Sequence, residues 1–164
     1  MKLDGKLLKQ SEHCKYLGVY MNSCLTWNKH ITYIASRVYP KLKMLNRIAP
    51  FLSQRVLLNI YKQTILPILD YRCIIWGVCG KSNSWRLERL RNQAMRIILA
   101  ANCGTCSQDM RNRLLLLSLD SRRRFLKLQL AFKIVHNVHC LHQLEGYLVK
   151  MSDLHGRILK DLTL

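Results

Sequence analysis

Acidic residues are what this chain most lacks. Nine Asp and Glu stand against 27 Lys and Arg, giving a formal net charge of +18 over 164 residues. The nine acids are scattered, so the paired carboxylates of two-metal chemistry are missing. There is no Gly-x-Ser-x-Gly elbow and no Gly-rich phosphate loop, the signatures of an esterase-type nucleophile and of nucleotide binding. Only 3 Pro and 7 Gly are spread along the chain, with no repeat and no low-complexity tract, which argues against disorder. No apolar run reaches the roughly 18 residues of a spanning helix. The best candidate, "TILPILDYRCIIWGVCG", is interrupted by Asp70 and Arg72. The opening "MKLDGKLLKQSEHCK" lacks the apolar centre of a secretory signal. Seven cysteines, an odd number at spacings unlike a secreted framework, read as reduced thiols. These absences predict an intracellular protein, in nucleus or cytoplasm, with no membrane partner.

What is present is cationic charge on a chain able to fold. A hydrophobic content of 49% is enough to fill the core of one domain. A large cationic surplus repels itself in the compact state unless a polyanion neutralises it, and nucleic acid is the commonest polyanion.

The apolar pattern predicts a mainly α protein: a helical bundle preceded by a short N-terminal β-hairpin. Residues 3–21 read as two strands, "KLLK" and "CKYLGVYM", with "SEH" as the turn and Asn22-Ser23 closing the second. From Trp27 the period becomes helical, with Ile31, Ile34, Ala35, Val38, Leu42 and Leu45 on one face and a kink or break expected at Pro40. Ser53 is placed to cap a second helix whose stripe is Val56, Leu57, Ile60, Tyr61 and Ile65, bending at Pro67. Gly77 and "GKSNS" read as a loop, followed by a third helix with Leu87, Leu90, Ala94, Ile97, Ile98 and Ala101 inward. After a break at "NCGTCSQ" comes the short helix "DMRNRLLLL". Asp120 or Ser121 then caps a long helix to about Asn137. Its apolar residues, from Leu126 and Leu128 to Phe132 and Val138, point in nearly every direction, which predicts a strut buried all round. "LHQLEGYLV" reads as a last apolar segment before a tail. The expected domains are therefore a hairpin at 1–26, a helical domain at 27–150 and a tail at 151–164.

Two arginine clusters stand out. Arg122, Arg123 and Arg124 open the long helix, where three cations oppose the macrodipole and a phosphate would compensate. Pairing with Asp120 is the plainer alternative. Arg86, Arg89 and Arg96, with Gln93 among them, recur at helical spacing beside the apolar face of the third helix, with Lys81 and Ser82 just ahead of it. Arg suits phosphate because its planar fork is always charged. Cys103-x-x-Cys106 followed by His136, His139, Cys140 and His142 offers ligand types that zinc favours. The gap of about thirty residues exceeds that of a compact finger, and no metal is assigned. Trp27, Tyr61, Tyr71 and Trp76 read as core aromatics, and Lys15-Tyr16 and Asp70-Tyr71 form no site by themselves.

Four motifs in order carry a resemblance: "KYLGVYMNSCLTWNKHI", "LLNIYKQTILPILDYRCIIWG", "RLERLRNQAMRIILA" and "LLLLSLDSRRRFLKLQLAFKIVHN". From about residue 13 to 149 the chain resembles the C-terminal part of a non-LTR (LINE-type, jockey-like) retrotransposon reverse transcriptase. The resemblance implies the end of a palm with its primer-grip-like hairpin, followed by a thumb. It also implies the palm and fingers of a parent polymerase as partners, together with RNA and DNA as a template–primer duplex or hybrid. The family's catalytic Tyr/Phe-Ala-Asp-Asp turn does not occur here. No residue is therefore assigned a catalytic role, no cofactor is expected in this chain, and the Mg of a parent polymerase would be held by palm acids outside it. The thumb's hold on the duplex backbone carries over to Arg86, Arg89, Arg96, Arg122, Arg123, Arg124 and Lys127, with Lys81 beside them. The "NCGTC" loop and Pro40 depart from the family pattern. A Met ahead of the hairpin suggests a truncated, degenerate or domesticated copy. The alternative function is a helical protein-interaction module that binds no nucleic acid.

Overall fold

A computed structural model describes the strand residues 2–3 and 6–7 and residues 12–135. The segment "LHQLEGYLV", the proposed tail, and the histidines of the zinc reading lie outside the described residues. The chain forms two compact units, Met1–Leu119 and Asp120–Leu164.

The first unit opens on two short antiparallel pairs rather than one long hairpin. Strands β1 (Lys2–Leu3) and β2 (Lys6–Leu7) pair with each other. The run "CKYLGVYM", expected as a single strand, folds back on itself instead. Strand β3 (His13–Tyr16) pairs with β4 (Val19–Asn22), with Lys15 opposite Tyr20 and Tyr16 opposite Val19. The turn between them is Leu17-Gly18, both at positive φ, the backbone that suits the twist of a two-residue hairpin. At φ 82°, Gly18 tolerates what a side chain would not, and a Cβ there would lie 3.3 Å from the Tyr71 ring. The Tyr71 hydroxyl donates to the Leu17 carbonyl at 2.9 Å, so the turn is clamped from a distant part of the chain. Tyr71 is half exposed and is not the core aromatic expected; Trp27, Tyr61 and Trp76 are buried.

Asn22 joins strand to helix. Its Oδ1 accepts from the Thr26 amide at 3.0 Å, and its Nδ2 donates to the Thr26 hydroxyl at 3.1 Å. Helix α1 (Asn28–Ile48) then buries the whole expected stripe: Ile31, Ile34, Ala35, Val38, Leu42 and Leu45. It runs through Pro40 without a break. The lost amide costs one internal hydrogen bond, which the buried stripe on both sides offsets. A 3-10 turn at Ala49–Phe51 leads to α2 (Gln54–Thr64). Ser53 occupies the N-cap position, but its side chain makes no capping hydrogen bond. Leu57 and Tyr61 of the expected stripe are buried, as is Ile65 just beyond, whereas Val56 is exposed. Pro67 falls in the first turn of a new helix, α3 (Leu66–Asp70), where its missing amide costs little. A single turn, α4 (Cys73–Trp76), follows.

Helix α5 (Lys81–Leu99) begins four residues earlier than a "GKSNS" loop would allow. Lys81 and Ser82 therefore sit in its first turn, with Gly80 as N-cap, because a polar but Pro-free segment is free to extend a helix held by packing further on. Leu87, Leu90, Ala94 and Ile98 are buried as expected, with Met95 added; Ile97 and Ala101 are only half-buried. The helix ends with Ala100 in the left-handed region and the Ala101 amide bonded to the Arg96 carbonyl, a closing turn that glycine usually supplies. Helix α6 (Ser107–Leu114) ends the same way at Leu115.

In the second unit, helix α7 (Leu119–Val135) differs from the strut expected. Arg123 and Ile134 are buried, whereas Phe125, Leu128 and Phe132 are each more than half exposed. An apolar ring gives a helix the capacity to be buried on every side, but burial itself needs neighbours on every side. Among the described side chains of α7, only Leu119, Arg123 and Ile134 are buried.

His30 sits under the hairpin. Its Nδ1 accepts from the Tyr20 amide at 3.4 Å, which leaves the ring proton on Nε2, buried and without a partner. Burial lowers its pKa below the usual 6.5. The unfolded chain therefore takes up a proton near pH 6.5 that the folded protein refuses, so this contribution to stability is full above 6.5 and is lost as pH falls. Between about pH 7.5 and about pH 5.5, the melting temperature of wild type should drop more than that of His30→Gln. Equal drops in the two proteins would show that His30 plays no part.

Candidate nucleic-acid interface

Helices α1 and α5 lie side by side and run in the same direction. Asn83 Nδ2 donates to Asn28 Oδ1 at 2.7 Å, and one turn on Arg86 Nη1 donates to the Thr32 hydroxyl at 3.0 Å. Residues of both helices line an open groove of about 810 Å³. Tyr39 contributes from α1; Ser82, Trp85, Arg86, Arg89, Gln93 and Arg96 contribute from α5. Three of the expected phosphate ligands, Arg86, Arg89 and Arg96, are thus brought together on one wall. Lys81 is exposed on the same helix but does not line the groove.

What leaves these arginines available is how α5 handles its other face. Arg91 is 2% exposed, and its charge is met by Glu88 Oε1 at 3.4 Å. The same oxygen accepts from Arg111 of α6 at 3.2 Å, while Oε2 takes the Leu119 amide at 3.3 Å. One carboxylate therefore serves two guanidiniums and a backbone amide, all away from the groove. Arg86, Arg89 and Arg96 have no ion pair among the described residues. The Nε of Arg96 is without any hydrogen-bond partner. Close by, the Tyr61 hydroxyl has its pKa pushed up to about 12 by burial, against the opposing effect of Arg91, and so stays neutral.

The arginines of α7 are less uniform. Arg123 is 5% exposed and faces inward, Arg122 is half-buried, and Arg124 Nε meets Asp120 Oδ2 at 3.1 Å. The Arg124–Asp120 pair is highly exposed and of little energetic weight. Lys127 is exposed. Within this cluster, then, Arg124 and Lys127 present their charge to solvent and Arg123 does not.

The sequence reading missed three features. Trp85 belongs to the groove and carries Arg89 over its ring, 4.8 Å from the centroid. The i,i+4 spacing of these residues on a helix was the available signal. Glu88 acts as a hub, visible in advance only to someone who knew that Arg91 faced inward. A second basic cluster gathers at the hairpin, where Lys15, Lys29 and Arg37 lie within 6 Å of the edge-on pair Tyr20 and Tyr33. Cys103 and Cys106 are exposed, and among the described residues no group of three or more His, Cys, Asp or Glu could hold a metal. No described helix is long and apolar enough to cross a membrane.

Homologous sequences fall in one class: RNA-directed DNA polymerases of transposable elements, the class that the four motifs resemble. In Drosophila melanogaster, the probable RNA-directed DNA polymerase from transposon BS is 33% identical over 102 residues, covering 60% of this chain and 11% of that protein. The probable RNA-directed DNA polymerase from transposon X-element is 35% identical over 94 residues, 54% of this chain and 10% of that protein. The RNA-directed DNA polymerase from mobile element jockey is 32% identical over 104 residues, 62% of this chain and 11% of that protein. The chain spans about a tenth of the length of these curated relatives. No protein-family model and no solved structure matches it.

Glu88→Ala should destabilise the first unit by about 3 kcal/mol in denaturant unfolding, because it leaves the Arg91 charge buried and uncompensated. A loss no larger than that of an ordinary surface substitution would mean that the hub holds nothing together.

Proposed function

We propose that this chain is the thumb side of a reverse transcriptase and that it holds a template–primer duplex by its sugar–phosphate backbone. The observation that carries the proposal is the row of arginines, Arg86, Arg89 and Arg96, set along an open groove and without ion pairs among the described residues. In a chain of net charge +18, a row kept clear of acids is suited to a partner with regularly spaced negative charge. Homology to RNA-directed DNA polymerases supports a nucleic-acid partner, which on this reading is an RNA–DNA hybrid or duplex. On this reading the chain supplies grip, and the acids that make phosphodiester bonds belong to the rest of the polymerase. The exposed charges of α7, Arg124 and Lys127, add a second and weaker contribution.

Recognition through phosphates predicts little sequence preference and affinity that falls steeply with salt. The slope of log affinity against log salt should be about −0.9 per phosphate neutralised. Replacing Arg86, Arg89 and Arg96 together with Ala should flatten the slope for an RNA–DNA hybrid by about 2 to 3 and weaken binding similarly for unrelated sequences. A hybrid that binds the triple variant with unchanged slope and affinity would remove the groove from the proposal.

A further inference from the structure

We infer that the α1–α5 groove also takes unpaired nucleotides, with a base stacked on the open face of Trp85 and the adjoining phosphates held by Arg86, Arg89 and Arg96. This deepens the proposed function and rests on its reading of the groove as a nucleic-acid site. A duplex hides its bases, and a protein that grips only the backbone needs cations alone. This groove offers more. Trp85 is 64% exposed, although the chain buries both of its other tryptophans, Trp27 and Trp76. Across the groove, Tyr39 is 47% exposed on α1. Two large aromatic surfaces are thus left in water on the walls of a cavity lined by three arginines.

The indole is also held in place. Arg89 lies over the ring from the next turn of the same helix, and the 64% exposure of Trp85 leaves indole surface for a flat partner. The order of groups suits a strand laid along the helix. Trp85, Arg89, Asn92 and Arg96 succeed each other at i, i+4, i+7 and i+11, a row about 16 Å long. Asn92 adds a side-chain amide to the groove lining between the arginines. Aromatic platforms interleaved with cations are how sequence-tolerant sites hold single strands, because every base has a flat face. RNA and DNA share that chemistry.

Intrinsic fluorescence tests the inference directly, since the other two tryptophans are buried. The full chain is titrated with oligouridylate, oligodeoxyuridylate (each about 10 nucleotides) and a blunt RNA–DNA hybrid. The single strands should quench the emission and the hybrid should not. Trp85→Ala should weaken single-strand binding about tenfold, a larger loss than it causes for the hybrid. Trp85→Phe, which keeps a flat ring, should restore most of the single-strand affinity while abolishing the quench. Similar behaviour of the two oligonucleotides assigns the site to stacking and phosphate alone, whereas a preference for uridylate adds contact with the 2′-hydroxyl. Hybrid binding with a normal salt slope, alongside single strands that neither quench nor respond to Trp85→Ala, overturns this inference and leaves the duplex-holding function intact. Quenching by single strands with no binding of hybrid does the reverse.

Discussion

Glu88 is the residue on which the organisation of the arginines depends. In a chain with three times as many cations as acids, any guanidinium that turns inward needs a carboxylate, and few are available. By accepting from Arg91, Arg111 and the Leu119 amide, Glu88 lets α5 bury a charged residue and ties the last turn of α6 and the end of the first unit to the same point. The geometry also divides α5 into two faces with different electrostatics. On one, charge is matched and packed; on the other, Arg86, Arg89 and Arg96 keep theirs. A buried ion pair gives little net stability compared with an apolar pair, so the arrangement is better understood as specifying orientation.

The hairpin shows the same economy in another form. Leu17-Gly18 adopts a turn that is strained for leucine, and the Tyr71 hydroxyl satisfies the carbonyl at its apex. Below it, His30 meets the edge of Trp76, whose own Nε1 donates to the Tyr71 carbonyl at 2.8 Å. Residues about fifty positions apart thus share one small aromatic cluster, which fixes the strand pair against the helices. The matched motifs "KYLGVYM" and "LDYRCIIWG" are the two sides of that cluster, which gives a physical reason for their occurring together.

Much of this was legible in the sequence, and the exceptions have definite causes. The stripe of α1 is buried residue for residue, because a 3.6-residue period over five turns leaves one solution. Pro40 pointed towards a kink or a break, and the helix continues through it: one missing amide is a small loss against six buried side chains. The strand "CKYLGVYM" was too long because β-branched and aromatic residues argue for strand on both sides of a turn, and only Gly18 marked the reversal. The α5 arginines were readable from spacing alone. The α7 arginines were not, since an all-round apolar helix gives no sign of which side faces inward, and Arg123 went in while Phe125 stayed out. Trp85 escaped notice because a tryptophan is ordinarily assigned to the core, and sequence pattern does not register the exposed face of a helix as a place to keep one.

Pro40 leaves the Ser36 carbonyl without its helical donor, so α1 bends there more easily than anywhere else along its length. Tyr39 is the adjacent residue and forms part of the groove wall opposite the arginines. The compliance of the helix is therefore concentrated beside the aromatic side of the groove, while the stripe on both sides of Pro40 stays buried in the core. The arginine wall, set on the uninterrupted helix α5, is thereby the stiffer of the two sides.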